Sequence, residues 1–255
     1  MPSKTDFNVS PYFDDFTEDK KFHRVMYRPA FAVQARELTT QQSILQNQIE
    51  KLGDAMYKHG SMVIPGETTY DLNHFSIKLT SFTGTLANFT DTVITGGTSG
   101  VTATVKSVAA TDGTDPDTLF VKYSNSGTDN VSASFTDGET ITSSASTGET
   151  AVVASSHTGS AAFIDAGTYY INGFFVEVDS QSLILDKYTN TPDYRVGLTV
   201  TENFITSTDD TTLLDNATGS SNANATGAHR FKITLTLAKL SLSSTADASF
   251  IETFR

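Results

Sequence analysis

The chain has no cysteine and no tryptophan, and it is short of positive charge: 17 Lys and Arg stand against 29 Asp and Glu in 255 residues. Without cysteine there are neither disulfides nor thiolate metal ligands, which suits folding in a reducing cytosol. The shortage of basic residues is uneven. Residues 1–80 hold nine Lys/Arg and ten Asp/Glu, a net of −1; the remaining eight and nineteen give residues 81–255 a net of −11 of the total −12. A body of that sign repels phosphate and anionic lipid, so neither nucleic acid nor membrane is expected as a partner. No apolar run approaches the roughly 18 residues of a membrane span, and the first residues carry no signal-peptide pattern.

Helical periodicity is nearly absent too. It is sustained only over Thr39–Gly60, TTQQSILQNQIEKLGDAMYKHG. Thr39 with Gln42 three residues on fits a capping box, and Gly60 behind Lys58-His59 fits a left-handed stop on the negative end of the dipole. Leu45 and Leu52 keep one seven-residue series and Ile49 and Met56 another, the d and a positions of a heptad, with Gln42 at the first a position. Two readings follow: an amphipathic helix packed on its own domain, or an intersubunit bundle whose register Gln42 sets. Gly53 costs about 1 kcal/mol in a helix interior, so a close neighbour is expected there.

Residues 1–38 read as an extended arm with aromatic anchors at Tyr12, Phe13 and Phe16, docking either on its own domain or on a neighbouring subunit. Within it, residues 22–27 read as a short strand that ends before Pro29.

Everything after Gly60 reads as strands and turns. Residues 61–64 and 70–79 alternate as strands, the first closed by Pro65-Gly66. Residues 81–158 hold a degenerate repeat in which Phe89, Ile94 and Val105 correspond to Phe135, Ile141 and Val153, each copy reading strand, Gly/Ser turn, strand. Leu119–Tyr123 is a strand between the copies. Beyond Gly159, residues 167–178 predict a hairpin turning at Asn172-Gly173, and strands recur at 182–186, 196–202, 230–237 and 248–254. The fold class is mainly β with one long N-terminal helix. Its expected organisation is an arm (1–38), a helix (39–60), an antiparallel β-domain (61–80 with 159–255) and a small inserted β-domain (81–158).

Chemistry is hard to find. There is no dinucleotide fingerprint, Walker loop or nucleophile elbow, and the five histidines are scattered without an i+4 pair on a helix. Asp112, Asp115 and Asp117 crowd one loop and Asp209, Asp210 and Asp215 another, without the spacing of a calcium loop. No catalytic, cofactor-binding or metal-binding residue is assigned, and the chain is not expected to be an enzyme. The candidate site is an assembly interface made of Tyr12, Phe13, Phe16, Gln42, Leu45, Ile49, Leu52 and Met56.

The stretches PYFDDF (11–16), HRVMYRP (23–29), AVQAREL (32–38), SILQNQIE (43–50) and MVIPG (62–66) resemble the opening of a family of tailed-phage virion proteins. GTYYINGFFV (167–176), YTNTP (188–192), LLDN (213–216) and GAHR (227–230) resemble its later blocks. The resemblance covers about 1–80 and 159–255. Such proteins, best represented in phages of cyanobacteria and marine bacteria, build the tail, baseplate or tail fibre, and are usually longer. The resemblance therefore implies the N-terminal part of a longer virion protein, assembled in the host cytoplasm with other tail or baseplate proteins, as a homotrimer or a hetero-oligomer. The alternative is a carbohydrate-binding or depolymerising module of a tail fibre.

Overall fold

The computed structural model describes residues 5–145 and 147–255; the first four residues and Ser146 lie outside the described residues. Strands make up 42% of the chain and helix 13%, with every strand pairing antiparallel, so the mainly β class with a single long helix holds.

Helix α1 spans Ala35–Met56, four residues earlier at each end than the sequence pattern suggests. At its start Gln34 N donates to Glu37 Oε2 at 3.0 Å, so the reciprocal bond belongs to Gln34 and Glu37 instead of Thr39 and Gln42. The arm accordingly ends at residue 34. At its end Tyr57 leaves the helix with φ −130, and its ring meets those of Tyr170 and Phe175 at 5.9 Å each. Gly60 keeps its left-handed φ of +85 in the turn that follows, where its amide donates to Tyr170 O. Residues 22–27 are not a strand: they ladder with no other strand among the described residues, and all but Val25 are exposed.

Among the described residues thirteen strands follow: β1 (Met62–Ile64), β2 (Thr68–Phe82), β3 (Val93–Gly96), β4 (Thr102–Ala109), β5 (Thr118–Asn125), β6 (Thr140–Ser143), β7 (Thr150–Ile164), β8 (Gly167–Ile171), β9 (Phe174–Val178), β10 (Gln181–Asp186), β11 (Tyr194–Ile205), β12 (Arg230–Ser241) and β13 (Phe250–Phe254). The strands β7-β2-β5-β4-β3-β6 are neighbours in that order, and β6 pairs back onto β7. Six strands therefore close into a small barrel without a free edge, the arrangement that best prevents edge-to-edge association.

The sequence repeat is the barrel's internal symmetry. Hairpins β3–β4 and β6–β7 lie side by side through β3 and β6. Val93 O accepts from Ser144 N while Thr140 O accepts from Gly97 N, each member being replaced by the residue 47 later (93 to 140, 97 to 144). Asp91 and Gly138, also 47 apart (91 to 138), both have positive φ, at 59 and 82. Phe89, Ile94 and Val105 are buried in one core with Phe135, Ile141 and Val153. Two half-barrels of one kind thus share a core that neither could close alone.

That core reaches from Ile77 to Val153, whereas the second core is built from residues of β7 to β12. The expected limits of the insertion, 81 and 158, fall inside β2 and β7. These two strands run on from the barrel as a ribbon, ending with Thr68 opposite Ile164, and serve both units. Around the second core lie β10 on the far edge of β7, the sheet β1-β8-β9 and the sheet β12-β11-β13. Asn172 (φ 47) and Gly173 (φ 86) form the expected turn between β8 and β9. Gln181 joins two sheets by its side chain: its Nε2 donates to Leu235 O at 2.9 Å and its Oε1 accepts from Leu237 N at 2.8 Å.

Because the barrel and the second core are separate, Ile141→Ala is expected to cost the barrel about 2–5 kcal/mol, the range for truncating a buried aliphatic side chain. Hydrogen exchange should show β3, β4 and β6 losing protection while β11 and β12 keep theirs; uniform loss across both would mean a single cooperative unit.

Candidate assembly surface

One end of the molecule is built by the arm, α1 and the tip of the β8–β9 hairpin. The helix lies close because residue 53 is glycine: a Cβ there would stand 2.5 Å from Tyr170 Cε2. This is the close neighbour that a glycine in mid-helix suggests. Tyr170 is 1% exposed, and its hydroxyl donates to Glu50 O at 3.0 Å and approaches Asp54 Oδ1 at 2.8 Å. Burial first, then the Asp54 carboxylate, push the phenol above its ordinary range. Burial likewise raises the Glu50 carboxyl. One turn earlier Gln46 Nε2 donates to Gly173 O at 2.8 Å.

The arm crosses the other side of the helix. Asp14, 5% exposed, accepts from Thr40 Oγ1 at 2.9 Å and from Ser43 Oγ, and Glu18 accepts from Asn47 Nδ2. This bond holds the Glu18 carboxyl below its ordinary range, with the Lys51 ammonium acting the same way. Upstream, Phe7 meets Phe204 and Phe231 edge-on at 5.9 and 5.0 Å, and Thr5 donates to Glu202 Oε2. Downstream, the Tyr27 hydroxyl donates to Gln41 Oε1 at 2.7 Å.

The anchors expected in the arm part company. Tyr12 stacks on Phe204 of its own body at 4.9 Å and shares a hydrogen bond with His229 Nδ1. Phe16 is half-buried near Ile44, and Phe13 stays exposed. On the helix, the residues facing inward are Ile44, Asn47 and Gly53. Leu45, Ile49, Leu52 and Met56 face outward at 57, 46, 66 and 64% exposure, and Gln42 is exposed beside them.

The pattern alone missed Leu38, which continues the Leu45 and Leu52 series once the helix is seen to begin at Ala35; it is also exposed. Glu37 behind Gln34 was the available signal. Also missed were Phe22, Met26, Phe31 and Val33 of the arm, all exposed. Of the twenty exposed large apolar side chains described, sixteen lie between Val9 and Leu72; the others are Val93, Val131, Phe175 and Leu242. Twelve of the sixteen belong to the arm and α1, a concentration that makes this end the candidate surface, because scattered exposed apolar residues are ordinary and clustered ones are not.

The acidic loops serve structure. Lys187 Nζ lies 2.9 Å from Asp115 and 3.0 Å from Asp112, which push its ammonium up to about 12. Asp117 accepts from Thr111 N, and Asp209, Asp210 and Asp215 accept from backbone N–H groups of Thr206, Thr212 and Ala217. Among the described residues, no three His, Asp or Glu side chains are placed to hold a metal ion.

Residues 10–134 and 122–252 each match the model of a family described as a domain of unknown function (DUF4815), and the two matches meet in the loop and strand around β5 of the barrel. No curated protein and no solved structure matches the chain.

Gly53→Ala separates helix propensity from packing. In an undocked helix it should stabilise by about 1 kcal/mol. Against the buried Tyr170 ring it is expected to destabilise, by roughly 1–3 kcal/mol for an overpacked contact. Thermal unfolding reads the sign, and a rise in melting temperature would mean that α1 does not rest on Tyr170.

Proposed function

The chain belongs to the DUF4815 family, and we propose that it is a structural component of a phage tail, a baseplate or tail-fibre scaffold attached through its N-terminal arm and helix. The observation that carries this reading is the apolar stripe Leu38, Leu45, Ile49, Leu52 and Met56, left uncovered on a helix whose opposite face is already docked. A globular monomer turns such a stripe inward. Here the stripe is kept for a partner, and the arm offers further exposed apolar side chains at Phe22, Met26 and Phe31. The resemblance of residues 1–80 and 159–255 to tailed-phage virion proteins supplies the setting: a particle in which many chains meet by surfaces of this kind. The β-body provides rigidity, with a closed barrel and side-chain-pinned strands, and the acidic loops spent on internal hydrogen bonds support a scaffold over a catalyst.

Purified particles of the phage that encodes the chain should contain it as a stoichiometric component. The double variant Leu45→Asp with Leu52→Asp should fold, since both residues are exposed, yet be depleted from particles. Each leucine buried at an interface is worth about 1.5–3 kcal/mol as an upper estimate, so losing two weakens association roughly a hundredfold or more. Normal incorporation of the double variant, or absence of the wild-type chain from particles, would sink the reading.

A further inference from the structure

We infer that the occupant of the stripe on α1 is a second copy of this chain, helix beside helix, parallel and in register at Gln42. The inference rests on the assembly reading and names its partner.

Charge is the first argument. Leu38, Leu45 and Leu52 run down the middle of the exposed face, with Gln42, Ile49 and Met56 along one side and Gln41, Gln48 and Ala55 along the other. None of these nine positions is charged, so nothing on the face selects a partner of either sign. A glutamine amide both donates and accepts, and so complements another glutamine. The rest of the molecule argues the same way. Net charge is −1 over residues 1–80 and −11 over residues 81–255, so copies that meet through this end keep their acidic bodies apart.

Orientation follows from Gln42. It is the polar member of an otherwise apolar a/d set, and a polar group buried at an interface needs a hydrogen-bond partner. An antiparallel neighbour would set it against leucine. A parallel neighbour in register sets amide against amide, the arrangement by which a polar a-position residue fixes register.

Two strands fit better than three. The e row, Thr39, Gln46 and Gly53, turns toward its own body, with Gln46 bonded to Gly173 O and Gly53 against Tyr170. A threefold bundle spreads each helix over two neighbours and needs both flanks free, whereas a pair needs mainly the stripe. Leu at every d position with Ile49 at a is also the two-stranded preference. A stable pair needs roughly 800 Å² from each partner. Tyr27, itself exposed, is held on the Gln41 side of the stripe by its hydrogen bond and is placed to add apolar area there.

The absence of cysteine makes the test clean. Single-cysteine variants Leu45→Cys and, as an exposed control on a barrel loop, Val131→Cys are oxidised mildly side by side, with a mixture of Leu38→Cys and Met56→Cys chains for the antiparallel register. Leu45→Cys should form disulfide-linked dimers at least about tenfold faster than Val131→Cys, because facing d positions of a parallel pair come within disulfide reach. The mixture should give no heterodimer above the control rate, and the unmodified chain should sediment at twice 27.4 kDa. Leu45→Cys cross-linking no faster than the control, Leu38–Met56 heterodimers forming above the control rate in the mixture, or a three-copy mass would each overturn the parallel pair. If Leu45→Cys fails while the double Asp variant is still excluded from particles, the occupant is another protein and only this inference falls. If the double variant is incorporated normally, the assembly reading falls as well.

Discussion

The contact between Gly53 and Tyr170 decides how the arm and helix relate to the rest. Tyr170 sits at the centre of three attachments: its ring fills the space beside Gly53, its hydroxyl reaches Glu50 O and Asp54, and its backbone pairs with Ser61 O and Gly60 N. Any side chain larger than hydrogen at position 53 would lift the helix off the β8–β9 hairpin. Position 53 is therefore glycine despite its unfavourable helix propensity, and the strain-free approach it allows fixes which face of α1 looks inward. Once that face is fixed, the Leu38–Leu45–Leu52 row has nowhere to point but out.

The β-body separates two tasks that would otherwise compete. Long ribbon strands β2 and β7 let the barrel grow from the parent domain without adding an edge, because β6 returns to β7 and closes the ring. Pairing of two similar half-barrels means that each buried residue of one copy has a counterpart doing the same job in the other, as with Ile94 and Ile141. A unit with its own core and no free edge can be carried on a ribbon at little cost to its carrier. The two matches to the family model meet within this unit, at residues 122–134.

Legibility in the sequence tracked how local the determinant was. The turn at Asn172-Gly173, the single helix and the paired apolar positions of the repeat follow from short-range rules, and the fold class follows from them. The helix ends differ from the pattern because two capping boxes compete five residues apart, Gln34 with Glu37 and Thr39 with Gln42, and because Tyr57 is drawn out of the helix by rings distant in sequence. The arm was the least legible part. Whether Tyr12 meets its own body depends on Phe204 and His229, more than 190 residues away, and no spacing within residues 5–16 encodes that. The heptad stripe was readable as a stripe; its exposure was not, since periodicity says that a face is apolar and leaves open what covers it.

The helix inverts the ordinary arrangement of an amphipathic element. Its inner face is held largely by polar contacts, Thr40 and Ser43 to Asp14, Asn47 to Glu18 and Gln46 to Gly173, while its leucines meet water. Hydrogen bonds of this kind contribute roughly 0.5–1.5 kcal/mol each after competition with water, somewhat more to a carboxylate. Burial of a leucine contributes about 1.5–3 kcal/mol. The bonds therefore orient α1 with good specificity and modest strength, and the larger stabilisation that burial of its three leucines would contribute is not drawn on within the chain.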